Sequence, residues 1–156
     1  MKKTETVSPA QSLVRILFLA YCGLMLWLLF GQRMEGSLLD LTLKPNGENI
    51  NLLPFATVRL YWHLLQTGAS QALLKHAIIN LVGNVVMFVP LGWFLPGIWR
   101  VFRGFFKTVI FGISLICLVE LLQYLTGLGS CDVDDLILNT VGIILGYSIW
   151  KLKHKK

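Results

Sequence analysis

The residues of this chain that could do chemistry are a few acids and amides in or beside otherwise apolar sequence. Within each apolar stretch they stand three or four residues apart, so they share one face of a helix. A polar or ionisable side chain is costly inside a membrane, and its presence there indicates a functional site. The acids are Glu120, Asp132, Asp134 and Asp135, and the amides are Asn80, Asn84, Gln123 and Asn139.

Three kinds of chemistry fit these residues. Glu120 could act as a general acid or base in an enzyme, or carry a proton in a small transporter. Asp132 and Asp135 could hold Mg²⁺ or Mn²⁺ through oxygen ligands, although the sequence gives no other sign of a cofactor. The amides, with His76, could bind a ligand without turnover.

Structural roles compete with each of these functions. Asp132 or Asp134 could cap a helix, with Asp135 in its first turn. The amides could join helices through hydrogen bonds. Glu120 could be a protonated acid in a structural hydrogen bond, and His76 could be an interfacial residue only.

The composition indicates what kind of protein positions these residues. Of its 156 residues, 55% are hydrophobic and 14% are charged, and the mean hydropathy is +0.67. A soluble domain carries about 25% charged residues, so we predict a single integral membrane domain over residues 1–156. Scarce charge excludes intrinsic disorder, and three cysteines do not make a disulfide framework. The net charge of +6 does not indicate nucleic-acid binding in so apolar a chain.

Four apolar stretches predict an all-α membrane protein with four spans, because a span needs about 20 mainly apolar residues. The fourth stretch is short, since Leu136 to Trp150 is about 15 residues, or about 22 Å of helix. That is less than the hydrocarbon thickness, which predicts either that the preceding acids are drawn toward the membrane surface or that the bilayer thins there. The spans cover about 13–30, 76–95, 108–128 and 136–152.

The basic residues predict the orientation, because Lys and Arg near span ends stay in the cytoplasm. Ten of the fourteen lie in the N-terminal segment, the 96–107 connection and the C-terminal tail. The other four are diluted in a long outer loop, residues 31–75. We therefore expect a multi-pass protein of the cell membrane with both termini in the cytoplasm.

In that orientation the acids and amides meet in the outer half of the membrane. Glu120 lies about 12 Å below the outer end of its span, and Asn84 reaches a similar depth. On the same face as Asn84, Asn80 and His76 lie one and two turns nearer the outside and are further ligand-binding candidates. We predict an outward-facing polar pocket formed by Asn84, Glu120, Gln123, Asp132, Asp135 and Asn139.

The outer loop is too apolar to be a mere connector. Apolar residues alternate over 39–43, then again over 50–52 after a Pro-Asn-Gly turn, which predicts a small hairpin. Residues 58–66 mix apolar, aromatic and basic side chains, which predicts a short helix lying in the membrane interface.

Four motifs, in this order, resemble the VanZ-like family over about residues 51–147. They are NLLPF at 51–55, GNVVMFVPLG at 83–92, ELLQ at 120–123 and DVDDLILNTVG at 132–142. The family takes its name from a membrane protein encoded with glycopeptide-resistance operons of Gram-positive bacteria. Its pattern falls on Asn84, Pro90, Gly92, Glu120, Gln123, Asp132, Asp135, Asn139 and Gly142, largely the residues chosen above on physical grounds.

The resemblance implies a small integral membrane protein of the bacterial cell envelope. From the founding member it implies a contribution to low-level teicoplanin resistance, but no accepted ligand comes with the family. A glycopeptide or a cell-wall precursor is the ligand that we expect for the outward-facing pocket. No accepted reaction comes with the family. As an enzyme, the protein would act on a lipid-linked envelope precursor.

Overall fold

The computed structural model describes residues 8–31, 50–67, 70–128 and 131–154, and almost all of them are helical. Two short strands, β1 (Ile50–Asn51) and β2 (Cys131–Asp132), complete the secondary structure of these ranges. The helices are α1 (Pro9–Leu26) with a π-helical extension (Trp27–Gly31), α2 (Ala56–Gln66), α3 (Gln71–Ile98), a 3-10 turn (Arg100–Arg103), α4 (Phe105–Thr126) and α5 (Val133–Lys153).

Four of the described helices are long and apolar enough to cross a membrane, which confirms the predicted number of spans. They are α1 with its π-helical extension, α3, α4 and α5. The shorter helix α2 forms where the interfacial helix is predicted, starting two residues earlier. Its position relative to a membrane surface stays a prediction.

The ends of all four spans differ from the predicted bounds by a few residues, and two of these ends have a local cause. Helix α3 begins at Gln71, because the Ser70 hydroxyl accepts the Leu73 N–H at 3.4 Å and caps the helix. Helix α4 ends at Thr126, short of the predicted 128, because Gly127 takes a left-handed conformation with a φ of 68°.

The prediction of a short fourth helix is wrong. Helix α5 has 21 residues, or about 31 Å of rise. It starts among the acids and not after them, since Asp132 caps it and both Asp134 and Asp135 occupy its first turn. Acids are favoured there by the positive end of the helix dipole.

The seam between α3 and α5 is the closest contact of the bundle. A Cβ added to Gly146 would lie 1.9 Å from the Val89 carbonyl oxygen, and one on Gly142 would lie 2.2 Å from that of Val85. From the other side, a Cβ on Gly92 would lie 2.1 Å from the carbonyl oxygen of Ile143. Glycines at these positions therefore let the two backbones touch.

Helix α1 lies against the α3 side of this pair. Its Phe18 ring contacts those of Phe94 and Trp99, with centroids 5.6 Å and 5.3 Å apart. The Tyr21 hydroxyl donates to the Met87 carbonyl at 2.9 Å. These contacts hold a helix that is otherwise largely exposed.

The two strands join the chain before α2 to the turn before α5. They pair in parallel, with Ile50 opposite Cys131 and Asn51 opposite Asp132. The first strand of the predicted hairpin, residues 39–43, lies outside the described residues, so the hairpin stays a prediction.

Candidate functional site

Asp132 joins the start of α5 to strand β1. One carboxylate oxygen accepts the N–H of Asp134 at 2.8 Å, and the other accepts from the Asn51 side-chain amide at 3.2 Å. The capping role predicted for this residue is confirmed. The same carboxylate also fixes the segment in front of α2.

Asp134 is the most buried of the three aspartates, with 1% of its surface exposed. It accepts the backbone N–H groups of Phe55 and Val58, at 2.5 Å and 3.2 Å. Those amides open α2, where the N-cap residue Phe55 has a left-handed φ of 62° and no side chain caps the helix. The first amides of a helix need acceptors, so Asp134 caps α2 from another helix.

Asp135 faces α3. One of its carboxylate oxygens accepts a hydrogen bond from the side-chain amide of Asn84. These two predicted pocket residues therefore meet in the α3–α5 seam near the start of α5, two turns from Gly142 along that helix.

Glu120 brings α4 to the same end of the bundle. Its side chain is 7% exposed, and one oxygen accepts the Asp132 N–H at 3.4 Å. Glu120 and Asp132 both line a cavity of about 190 Å³ between α4 and the start of α5. Its other lining residues are Cys117, Leu121, Tyr124, Val133 and Leu136, so two carboxylates stand in a largely apolar wall.

Two of the predicted amides bond neighbouring elements. The Asn80 amide donates to the Tyr61 hydroxyl of α2 at 3.1 Å. The Gln123 amide donates to the Leu29 carbonyl in the π-helical extension of α1 at 2.9 Å. Both bonds fit the structural role predicted for these amides, the joining of helices.

Asn139 and His76 complete the predicted set. Asn139 is 4% exposed, and within the described part of the chain its side-chain oxygen has no hydrogen-bond partner. His76 lies in α3, and its side chain is outside the described residues.

The structure thus divides the predicted pocket. Glu120 and Asp132 share a cavity, whereas Asn84, Gln123, Asp135 and Asn139 are not among the residues that line it. The Asn84–Asp135 pair lies on the α3 side of α5, and Gln123 points to α1. All six residues lie at one end of the bundle. The amides Asn84, Gln123 and Asn139 do not line the cavity that Glu120 and Asp132 line.

Three contributors to this end were missing from the predicted site. Cys117 and Tyr124 lie one turn before and one turn after Glu120, so helical spacing from that residue could have found them. Asp134 was seen as a cap of its own helix, and nothing in its spacing pointed to α2.

A metal site at Asp132 and Asp135 stays a prediction. No group of three His, Cys, Asp or Glu side chains that could hold a metal ion occurs among the described residues. The two carboxylates bond different partners, Asn51 with the α5 amide in one case and Asn84 in the other.

Comparisons with known proteins indicate the family to which the chain is related. A family model described as VanZ/LLP1 matches residues 18–154. Protein VanZ of Enterococcus faecium is 32% identical over 76 residues, which cover 49% of this chain and 47% of that protein. The match therefore spans about half the length of that curated relative. No solved structure matches the chain.

Proposed function

The chain belongs to the VanZ/LLP1 family, and on that premise we propose that it contributes to low-level teicoplanin resistance in a bacterial cell envelope. Its four membrane-length helices and this family make it a multi-pass membrane protein. The proposed working site is the cavity lined by Glu120 and Asp132, which would bind a glycopeptide or a cell-wall precursor.

The burial of Glu120 in that cavity is the observation that carries the proposal. A carboxyl group inside a membrane-length helix is costly and needs polar partners or a ligand. A volume of about 190 Å³ is smaller than the roughly 300 Å³ at the low end of small-molecule sites. The cavity would therefore hold one mainly apolar group of a larger ligand, with Glu120 and Asp132 in its wall.

The surroundings of Asp132 support a fixed geometry for this binding. Its carboxylate accepts from Asn51 and from the first turn of α5, while Asp134 anchors the adjacent α2. A ligand would meet acids whose orientation is set in advance, which lowers the entropic cost of binding.

The proposed orientation places this acidic end outside the cell and both termini in the cytoplasm. It rests on the excess of Lys and Arg at the opposite end. In a Cys22→Ser, Cys117→Ser background, Cys131 should react with an impermeant thiol reagent on intact cells. Protection of Cys131 until the membrane is opened would reverse the orientation.

Drug susceptibility tests the site itself. Cells expressing the wild type, Glu120→Gln or Asp132→Asn are compared for their inhibitory concentrations of teicoplanin and vancomycin, at equal membrane levels of each protein. We expect both variants to lose the protection against teicoplanin, because each replaces a carboxyl group of the cavity lining by an amide. Ser114→Ala is the matched control on α4. Within the described ranges, the exposed Ser114 hydroxyl bonds its own helix alone, at 2.9 Å from the Ile110 carbonyl.

Unchanged susceptibility in both acid variants, at normal protein levels, would contradict the proposed site. A loss in Ser114→Ala as large as that in Glu120→Gln would show that any change in α4 matters, and would also count against it.

A second candidate is an enzyme that modifies a lipid-linked envelope precursor. It is favoured by the contact between Glu120 and the Asp132 backbone, because a buried carboxyl group at a cavity wall can act as a general acid or base. Asp132 and Asp135 would hold Mg²⁺ or Mn²⁺ in this case. Incubation of the purified protein with labelled precursor, with and without Mg²⁺, separates the two: a stoichiometric complex without a changed product excludes the enzyme.

A further inference from the structure

A second cleft lies at the opposite end of the bundle, between the start of α4 and the end of α5. Its volume is about 390 Å³, against about 190 Å³ for the cavity at Glu120. That size falls within the roughly 300–1,000 Å³ of small-molecule sites. It is lined by Phe105, Tyr147, Ser148, Lys151 and Leu152.

The floor of this cleft is fixed by Tyr147. The side chain is 4% exposed, and its hydroxyl donates to the Arg103 carbonyl at 2.7 Å. Its ring lies 5.5 Å from that of Phe105, measured between centroids, in an edge-to-face contact. These contacts clamp the turn before α4 onto α5, so the cleft exists without a ligand.

The wall of the cleft is amphipathic. Phe105 and Leu152 are 37% and 69% exposed and offer apolar surface. Lys151 adds an exposed ammonium group on the same side of α5. The Ser148 hydroxyl donates to its own helix at 2.8 Å and keeps its oxygen as an acceptor.

Among the described residues at this end of the bundle, the side chains of Asp, Glu, Lys and Arg are all basic. The chain has no acidic residue between Glu48 and Glu120 and none after Asp135. The bases at this end that the structure describes are all exposed; they are Arg15, Arg100, Arg103, Lys107, Lys151 and Lys153. An occupant of complementary charge would therefore be an anion, and the apolar wall favours one that also carries a hydrocarbon chain.

We propose that this cleft is a binding site for one anionic phospholipid. The phosphate lies at Lys151, and an acyl chain runs over Phe105 and Leu152 into the bilayer. Basic pockets between membrane helices bind lipid head groups in this way. The site is independent of the cavity at Glu120 and of which side of the membrane it faces.

The test measures lipid retention by the full-length protein. The protein is purified from mixed nanodiscs of phosphatidylglycerol and phosphatidylcholine, and the lipids that stay bound are counted by native mass spectrometry. We expect preferential retention of phosphatidylglycerol, reduced about fivefold by Lys151→Gln, because one such base near the surface contributes about 1 kcal/mol.

Lys153→Gln is the matched control. It removes the same charge from the same helix end, but Lys153 lies over the Trp93 ring of α3, 5.9 Å from its centroid, and not in the cleft. Its retention of phosphatidylglycerol should equal that of the wild type. A second variant, Ser148→Phe, fills the cleft without changing the charge and should also lower retention.

Three results would overturn the proposal. Equal losses in Lys151→Gln and Lys153→Gln would indicate diffuse attraction to the basic surface. Equal retention of the two lipids would exclude an anionic site. Displacement of phosphatidylglycerol by soluble glycerol phosphate at the same concentration would show that the acyl chain contributes nothing. Thermal unfolding of each variant confirms that it is folded.

Discussion

The two ends of the bundle carry opposite charges, and these charges differ in their surroundings. The acids at one end are hydrogen-bonded to other elements, whereas the bases at the other end are exposed. At the acidic end, Asp132, Asp134 and Asp135 each bond a different element, namely β1, α2 and α3. At the basic end, the bases lie exposed, and Lys153 over the Trp93 ring is their one cation–π contact among the described residues.

The difference follows from the surroundings of each charge. A carboxylate with 1% exposure must have hydrogen-bond donors at fixed positions, because an unsatisfied buried charge is costly. An exposed lysine keeps its water or a lipid head group and needs no fixed partner. We expect substitutions at the acidic end to cost stability and those at the basic end to change lipid contacts.

The largest effect should come from the seam that joins the two ends. In Gly146→Ala the new Cβ would lie 1.9 Å from a backbone oxygen of α3, so the helices must separate. We expect a loss of about 3 kcal/mol or more in the free energy of unfolding in detergent, since backbone shifts of this kind are costly.

Gly83→Ala is the matched control for the seam. A Cβ at Gly83 meets nothing within 4 Å, and Ala favours a helix by about 1 kcal/mol over Gly. The variant should be as stable as the wild type or more stable. Equal losses in the two variants would contradict close contact along the seam.

The next effect contrasts a buried acid with an exposed base. Asp134→Ala leaves the amides of Phe55 and Val58 without this acceptor, so we expect a loss of about 2–4 kcal/mol. Lys151→Ala should stay within about 0.5 kcal/mol in detergent without anionic lipid. Chemical denaturation followed by circular dichroism measures both. Similar losses of unfolding free energy in Asp134→Ala and Lys151→Ala would contradict the proposed difference between the acidic and the basic end.

A smaller effect tests the acidic end at one pair. In a double-mutant cycle, Asn84→Ala and Asp135→Ala should show a coupling of about 1–2 kcal/mol, because one partner is a carboxylate. Asn80→Ala with Tyr61→Phe provides the neutral comparison, for which about 0.6 kcal/mol is expected in a membrane protein. A coupling near zero at Asn84–Asp135 would show that this hydrogen bond does not contribute to the free energy of unfolding.

The apolar stretches predicted the four spans. Helical spacing predicted the residues that share a face. It also put Asn84 and Asp135 at one end of the bundle, and the two side chains are hydrogen-bonded.

What the sequence could not predict is which helix each face meets. Spacing fixes the direction of Asp134 on α5, but the partner depends on how α5 is rotated against α2 and α3. For the same reason, Gln123 was placed in a pocket with Glu120, whereas it bonds Leu29 of the α1 extension. The start of α5 was predicted in two ways. The apolar stretch begins only at Leu136, whereas a cap at Asp132 predicts a helix from Val133, and the structure has the second.

Cys117 allows the most direct measurement of the central claim, that the cavity at Glu120 and Asp132 takes a ligand. Cys117 lines this cavity and is exposed. In a Cys22→Ser, Cys131→Ser background, its rate of labelling by a membrane-permeant maleimide is measured with and without teicoplanin. We predict that teicoplanin slows the labelling several-fold, and that Glu120→Gln abolishes this protection. Labelling at the same rate with and without teicoplanin, in a protein that confers resistance, would contradict the claim.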